Sequence, residues 1–308
     1  MQKTADERFQ FVKLDALASE RIDAPRYSYW NSVWRKFISN KVAVTMLVVL
    51  ALTLLMSFIQ PMFSGYDFMD TSNINDIGAR YQWPSFQYWF GTDGNGHSLF
   101  DAVWAGAKTS LSIGLLATLF TFVVGITVGA VWGYSKHLDR IMIEVYNVVS
   151  NVPYILIVIV ISYAMGSGFW NLLFAMCITS WVGTAYSIRI QVMIMRDREY
   201  NLASQTLGTP LPRVIQKNIL PYLISVIVTQ MSRSLPAFIS SEVFLSYIGV
   251  GLGANIPSLG RIISTYTSSM TTHPYLFWIP VGVLALVSVS LYIVGQTLAD
   301  ASDPRTHM

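Results

Sequence analysis

Long apolar runs separated by short polar segments dominate the chain. From residue 42 to residue 59 the sequence VAVTMLVVLALTLLMSFI holds no charged residue. A run of this length can cross the hydrocarbon core of a bilayer as one helix. Similar runs predict five further spans, at residues 109–134, 145–165, 171–188, 222–248 and 275–298. The pattern therefore predicts an all-α integral membrane protein with six transmembrane helices.

Lysine and arginine residues lie mainly on one side of these spans. The segments before residue 42, at 135–144, at 189–221 and after 298 hold 16 of the 20 basic residues. Because positively charged flanks stay in the cytoplasm, both termini are expected to be cytoplasmic. The predicted order is a cytoplasmic N-terminal segment (1–41), a first helix (42–59), an extracytoplasmic loop (60–108), a five-helix transport domain (109–298) with a cytoplasmic loop at 189–221, and a cytoplasmic tail (299–308).

Composition supports a membrane protein and disfavours several other classes. Hydrophobic residues fill 53% of the 308 positions and charged residues 12%, about half the charged share of an ordinary soluble domain. The single cysteine, Cys177, leaves no partner for an intrachain disulfide. We expect a lipid bilayer, and no nucleic acid, among the partners of this chain.

The sequence lacks the residue patterns that catalysis or cofactor binding would need. No glycine is followed directly by lysine, so the phosphate-binding pattern GxxxxGK[ST] is absent. The four histidines are far apart and fall on both sides of the predicted membrane, which disfavours a metal site. No serine lies in a GxSxG turn. We therefore predict no enzymatic activity, and no cofactor or metal bound by this chain.

Three glycines recur at four-residue intervals in the second predicted span. Gly125, Gly129 and Gly133 would align on one helical face that lacks side chains, so another helix can approach it closely. The spacing predicts a helix-packing ridge. It leaves open whether the ridge packs inside one bundle or against a partner subunit.

The fifth predicted span contains two ionisable side chains. Placing such a group at mid-membrane is unfavourable by roughly 3 kcal/mol, so Arg233 and Glu242 are expected to face protein or water. Their nine-residue separation puts them on opposite faces of an ideal helix unless Pro236 bends it. Glu242 is predicted to have a gating or structural role. For Arg233, snorkelling or packing against a partner helix is favoured.

One cytoplasmic segment, residues 196–221, has features of a docking surface. Its sequence is RDREYNLASQTLGTPLPRVIQKNILP. Four residues form one mainly apolar side of a short predicted helix: Leu202, Ala203, Thr206 and Leu207. Gly208 followed by Pro210 would end this helix, and the small residues Ala203, Ser204 and Gly208 would let another protein come near the backbone. The alternative is that the hairpin folds back onto its own bundle.

This segment resembles the cytoplasmic loop of the integral membrane permeases of ATP-binding-cassette (ABC) importers. That loop has the pattern EAA, three residues, Gly, nine residues and a closing x-x-Leu-Pro. The present chain has Leu-Ala-Ser at 202–204, Gly208, and Leu-Pro at 220–221, so the EAA glutamate is replaced by Leu202. The resemblance implies a set of ATPase-coupling residues: Glu199, Leu202, Ala203, Ser204, Leu207, Gly208, Leu220 and Pro221. Glu199 lies one turn before the position of the missing glutamate.

Two further blocks are similar to one branch of this family, the OppC/DppC-type subunits of dipeptide and oligopeptide importers. Residues 90–111 contain FGTD, a later glycine and GAKTSL, and residues 241–264 read SEVFLSYIGVGLGANIPSLGRIIS. The chain end LADASDPR, at 298–305, completes the resemblance, which covers about residues 90–305. The length and the N-terminal extension are similar to those of AmiD-type oligopeptide permeases of Gram-positive bacteria.

The resemblance implies a type I ABC importer permease fold and a multi-subunit complex in a bacterial plasma membrane. Implied partners are a second homologous permease, two ABC ATPase subunits, an extracytoplasmic peptide-binding lipoprotein and the peptide substrate. ATP and Mg²⁺ would bind to the ATPases, whose motion would reach the spans through residues 202–208. The alternative function is a secondary transporter or channel without an ATPase, which the six spans and the intramembrane charges alone would permit.

Overall fold

The computed structural model describes residues 29–69 and 76–302 of the chain. The α-helices in these ranges are α1 (Tyr29–Ser39), α2 (Lys41–Phe63), α3 (Leu99–Tyr134), α4 (Lys136–Ser150), α5 (Tyr154–Met165), α6 (Phe169–Arg196), α7 (Glu199–Thr206), α8 (Leu211–Val214), α9 (Ile224–Tyr247), α10 (Leu259–Tyr266) and α11 (Pro274–Ala301). Within the described ranges, five segments are long and apolar enough to cross a membrane: α2, α3, α6, the stretch from α8 to α9, and α11. The bent pair α4 and α5 makes a sixth candidate. The predicted all-α membrane architecture is confirmed.

The second span begins well before residue 109, where the sequence analysis placed its start. Helix α3 starts at Leu99, so residues 99–108, of which only Asp101 and Lys108 are charged, are helical and do not belong to the preceding loop. The Ser98 side chain accepts a hydrogen bond from the Asp101 N–H at 3.4 Å and caps the helix. Asp101 in the first turn also interacts favourably with the helix dipole.

The third predicted span, residues 145–165, consists of two helices. The axes of α4 and α5 differ in direction by 83°. Pro153 lies at the break, has no backbone N–H and disfavours a helical conformation in the residue before it. The predicted span is therefore a bent pair of helices and not one continuous helix, and the Asn-Val-Pro sequence at the break is a recognisable helix-ending signal.

Successive spans run in opposite directions, which gives the bundle two ends. At one end Arg196 Nη1 donates to the Gly133 carbonyl oxygen at 3.1 Å, and the Tyr29 hydroxyl donates to the Ser302 carbonyl oxygen at 2.6 Å. This end also holds α7 and the predicted cytoplasmic basic residues of the described chain, so we call it the basic end. The opposite end holds α10 and the loop between α2 and α3.

The glycine ridge of α3 faces α6 of the same chain. A Cβ atom added at Gly129 would lie 2.4 Å from the Ala185 carbonyl oxygen, and one at Gly133 would lie 2.7 Å from the Arg189 carbonyl oxygen. A Cβ at Gly125 would lie 2.7 Å from the side chain of Thr184. The backbones of α3 and α6 therefore come close enough that only glycine fits at these positions.

Two terminal parts of the chain complete the described fold. Helix α1 precedes the first span and packs its buried side chains Val33 and Phe37 against Ala43 and Ala301. The predicted cytoplasmic segment up to residue 28, and the end of the LADASDPR block from residue 303, lie outside the described residues.

Candidate functional site

Helix α7 presents apolar side chains at the basic end. Leu202 is 47% exposed and Leu207 is 86% exposed. The remaining two residues of the predicted apolar side, Ala203 and Thr206, are exposed as well. Exposure of large apolar side chains together with small neighbours is typical of a surface that another protein covers. We call Leu202, Ala203, Thr206 and Leu207 the α7 patch.

Buried polar contacts hold α7 against the bundle. Asn201 is fully buried, and its Nδ2 donates to the Met195 carbonyl oxygen at the end of α6 at 2.8 Å. On the other side, Asn218 Nδ2 donates to Ser204 Oγ at 3.2 Å. Asn218 belongs to the segment that leads into α9. The helix is thus fixed to α6 and to the segment before α9. The two asparagines and their partners are 6 and 14 residues apart, and no residue pattern in the sequence marks these contacts.

Gly208 ends α7 in a left-handed conformation, as its place after the apolar residues predicted. Its φ is +79°. The Thr209 N–H donates to the Ser204 carbonyl oxygen at 3.0 Å and the Gly208 N–H to that of Gln205 at 2.9 Å. These two bonds form a Schellman motif. A Cβ atom at Gly208 would meet nothing within 4 Å, so this position faces away from the chain.

The remaining predicted coupling residues lie before and after the α7 patch in the sequence. Glu199 is exposed in the first turn of α7, where the helix dipole favours a negative charge. Leu220 and Pro221 begin a 3-10 turn (Leu220–Leu223) that leads into α9. Leu223 is buried with Ile188 and Val192 of α6. A displacement of α7 would therefore be transmitted to both α6 and α9.

Glu242 is completely buried in α9. Ser246 Oγ donates to Glu242 Oε1 at 2.7 Å, and the hydroxyl groups of Ser110 and Ser258 lie beside the carboxyl group. Ser110 Oγ also accepts from the Leu259 N–H at 3.2 Å. The carboxyl group thus lies where α3, α9 and the start of α10 meet.

The two sequence blocks that resemble OppC/DppC-type permeases pack against each other. A Cβ atom at Gly260 would lie 2.1 Å from the Val243 carbonyl oxygen, and one at Gly106 would lie 2.6 Å from Ile262 Cδ1. Because these two residues are glycines, α10 can pack closely between α3 and α9.

Hydrogen bonds of the FGTD motif connect the loop before α3 to α10. The Tyr266 hydroxyl donates to Asp93 Oδ2 at 2.9 Å, and the His97 N–H donates to Asp93 Oδ1 at 2.8 Å. Burial and the neighbouring carboxylate of Asp93 raise the pKa of Tyr266, so its hydroxyl remains a hydrogen-bond donor. The motif therefore has a structural role at the opposite end of the bundle.

Arg233 lies on a different face of α9 from Glu242. Its side chain is exposed, and within the described part of the chain it has no hydrogen-bond or ion-pair partner. Ser240 and Phe244 are exposed further along the same helix. Glu242, in contrast, is enclosed, so the two ionisable groups do not pair.

A second polar cluster, which the sequence analysis missed, fixes the start of α4. Arg189 of α6 is buried and makes a bidentate contact with Asp139, with Nη2 at 2.9 Å from Oδ2. Trp132 Nε1 donates to the same carboxylate at 2.7 Å. The Arg189 guanidinium also lies 5.4 Å from the Trp132 ring and 5.6 Å from that of Tyr186. The cluster joins α3, α4 and α6 at the basic end.

We expect Asp139→Asn to lower the free energy of unfolding by roughly 2 kcal/mol, because the buried Arg189 loses its charged hydrogen-bond partner. The midpoint of thermal unfolding of the purified complex in detergent measures this effect. Asp197→Asn is the matched control, since Asp197 accepts from Arg196 at 2.9 Å at an exposed site, where an ion pair contributes little. Equal midpoints for the two variants would contradict the prediction.

Among the described residues, no three histidine, cysteine, aspartate or glutamate side chains lie close enough together to hold a metal ion.

Family models match the chain along most of its length. Residues 122–308 match the model for the binding-protein-dependent transport system inner membrane component. Residues 28–84 match the N-terminal transmembrane domain of oligopeptide transport permease C.

Curated relatives match it from end to end. The chain is 58% identical to the oligopeptide transport system permease protein AmiD of Streptococcus pneumoniae over 98% of both chains. It is 33% identical to the oligopeptide transport system permease protein OppC of Bacillus subtilis over 99% of both chains. Among solved structures, a chain of the inward-facing MetNI methionine ABC transporter is similar in fold, with a TM-score of 0.52 and 17% identity over 66% of this chain and 96% of that one.

Proposed function

The chain belongs to the OppC family of binding-protein-dependent ABC importer permeases, and we propose that its α7 patch receives the motion of a separate ATPase. The protein is a multi-pass permease subunit of an ABC oligopeptide importer in a bacterial plasma membrane. In this family the ATPase is a separate subunit, so the chain is not itself an enzyme. Family membership therefore favours this function over a transporter or channel that works alone.

We propose a specific set of partners for this subunit. A second homologous permease would form the other half of the path, two ABC ATPase subunits would bind ATP and Mg²⁺, and an extracytoplasmic lipoprotein would deliver the peptide. The absence of a GxxxxGK[ST] pattern from the sequence supports the need for separate ATPases. The predicted cytoplasmic location of α7 supports their contact with the basic end.

The single observation that supports the coupling role is the exposed α7 patch on a firmly anchored helix. Leu207 is 86% exposed, while Asn201 in the same helix is fully buried. An ATPase groove that covers the patch would remove apolar surface from water and bind α7 tightly. When ATP closes the ATPase pair, α7 would move as a rigid element with α6 and α9, and the spans would shift between inward-open and outward-open states.

Leu202 at the position of the EAA glutamate changes the chemistry of this contact. An apolar side chain cannot form a salt bridge, so docking at this position would depend on burial of Leu202 and Leu207. Glu199, exposed one turn earlier, offers the carboxylate nearest in sequence to that position.

Cysteine cross-linking tests the proposed contact. In a Cys177→Ala background the chain has no cysteine of its own, so Ala203→Cys introduces a single thiol at an exposed site in the α7 patch. We expect a short thiol-to-amine reagent to link it to an ATPase subunit in intact cells, with a yield that changes with nucleotide. Ser167→Cys, exposed at the opposite end, is the control and should give no such link. If Ala203→Cys also links to no ATPase, the coupling role is wrong.

We expect Glu242→Gln to change gating or assembly more than ATP binding. The carboxyl group lies among serine hydroxyls where three elements meet, and an amide would alter which of these groups donate hydrogen bonds. Peptide import and nucleotide affinity, measured on the same complex, separate the two effects. If cells with Glu242→Gln grow unchanged on peptides as the sole source of a required amino acid, Glu242 is only a tolerated buried polar group.

A further inference from the structure

The break between α4 and α5 lies at membrane depth. Helix α5 has 12 residues, so it is about 18 Å long, whereas the hydrocarbon core of a bilayer is about 30 Å thick. Helix α5 alone is therefore too short to cross the membrane. The irregular residues 151–153 at its start must lie well inside the bilayer.

Polar residues of α6 lie at the same depth as this break. Helix α6 begins at Phe169, directly after the turn that follows α5. Thr179 and Ser180 are therefore about 15 Å along α6 from the opposite end of the bundle. The Tyr154 hydroxyl, at the start of α5, donates to the Met176 carbonyl oxygen at 3.1 Å, which shows that the break and this part of α6 are in contact.

A cavity of about 370 Å³ lies between the break and α6. Five of its lining residues have hydroxyl groups: Tyr146, Ser150, Tyr154, Thr179 and Ser180. None of its lining residues is charged. Two larger cavities along the spans have apolar linings. One lies between α3 and α6 and is lined by aliphatic and aromatic side chains. The other lies between α3, α9 and α11 and is lined mainly by aliphatic side chains. Those two suit lipid chains, whereas this one suits a polar ligand.

The hydroxyl groups at this cavity differ in their partners: that of Tyr154 donates to the Met176 carbonyl oxygen, and that of Ser180 lies 2.6 Å from Thr121 Oγ1. Thr179 Oγ1 is inaccessible and has no hydrogen-bond partner among the described residues. No side chain caps α5 at Pro153. The Leu156 N–H, in the first turn of α5, donates to the Pro153 carbonyl oxygen at 3.0 Å. Irregular backbone and unpaired polar groups persist at membrane depth only where they meet protein or line a water-filled cavity.

We propose that this cavity binds the main chain of the peptide as it passes through the permease. The proposal rests on the assignment of the chain to a peptide importer. Hydroxyl groups both donate and accept hydrogen bonds, so they match the N–H and C=O groups that every peptide has, whatever its side chains. An uncharged lining does not select for peptide charge, and the volume lies at the lower end of the range for ligand pockets.

Filling the cavity tests this proposal. Gly183 lines the cavity, and a Cβ atom there meets nothing within 4 Å, so Gly183→Leu adds volume without a clash. In the assembled importer, with saturating peptide-loaded binding protein, we expect import per turnover to fall by about tenfold, the effect of roughly one lost hydrogen bond. Gly282→Leu is the matched control, because Gly282 in α11 is equally free of neighbours and lies away from this cavity. Equal import by the two variants would overturn the proposal.

A second measurement does not depend on a bulky side chain. In the Cys177→Ala background, Gly183→Cys places a small thiol in the cavity. A membrane-impermeant thiosulfonate should label it, and a transported peptide with ATP should slow the labelling by about tenfold, since the peptide occupies the site in most complexes. Gly282→Cys, exposed on α11, should resist labelling with or without peptide.

Three other outcomes would each overturn the proposal. Labelling of Gly183→Cys that peptide does not slow would mean a water-filled cavity off the peptide path. If Gly183→Cys is not labelled but can be cross-linked to the second permease, a side chain of that protein fills the site. If Gly183→Cys is neither labelled nor cross-linked, lipid fills the site. In each case ATP-driven import by the unsubstituted complex would continue, so these failures are distinct from a failure of the proposed function.

Discussion

Gly208→Trp is expected to abolish ATP-driven peptide import while the subunit still folds and inserts. The φ of +79° at this position disfavours any other residue by about 1 kcal/mol, which a folded bundle tolerates. A side chain there meets no atom of its own chain, so the indole ring would project beside the α7 patch. It would therefore clash with a docked ATPase and leave the bundle intact.

The matched control for this variant is Gly249→Trp. Gly249 ends α9 in the same conformation, with a φ of +81° and the corresponding hydrogen bonds from Val250 to Leu245 and from Gly249 to Ser246. A Cβ atom there also meets nothing within 4 Å, but the site lies at the opposite end of the bundle. Import, ATP hydrolysis and recovery of the assembled complex should be measured for both. Normal import with intact ATP hydrolysis by Gly208→Trp would refute the coupling role of the α7 patch.

Gly129→Leu is expected to prevent the bundle from folding. Its Cβ would lie 2.4 Å from the backbone oxygen of Ala185 and 2.9 Å from the Ala185 Cα. Backbone atoms cannot move aside as a side chain can, so α3 and α6 would have to separate along their whole contact. We expect a loss of stability of at least about 3 kcal/mol, the upper range for overpacked cores.

Gly282→Leu provides the comparison, because the same side chain is added to a transmembrane helix at a site with no neighbours. Recovery of monodisperse protein in detergent and the thermal midpoint measure the difference. A Gly129→Leu variant as stable as Gly282→Leu would show that the close α3–α6 contact is not required.

Some features of the site could be predicted because they depend on neighbours in the sequence. The left-handed end of α7 followed from a glycine after apolar residues and before a proline, since few other residues adopt that conformation. The break at Pro153 and the start of α3 at a capping serine were equally local signals. The break is marked only by Asn151 and Pro153 within an apolar run, and the start of α3 was placed too late because Asp101 and Lys108 interrupt its first turns.

Other features depend on which helices become neighbours, and no local pattern specifies that. Asp139 and Arg189 are 50 residues apart in the sequence, and Thr121 and Ser180, whose hydroxyl oxygens lie 2.6 Å apart, are separated by 59. The opposite positions of Arg233 and Glu242 followed from helical periodicity, but the sequence did not reveal which of the two would be buried. That outcome depends on α10 packing over α9.

The amino-acid sequence by itself determined the all-helical membrane class, the expected orientation and the family, because apolar run length, basic flanks and short motifs are properties of contiguous residues. Only the tertiary structure decided that the glycine ridge faces α6, that serines of two motifs surround Glu242, and that a polar cavity lies beside a broken helix. The physical reason is that lipid solvates any apolar face equally well, whereas backbone approach and hydrogen bonds require particular partners at fixed distances.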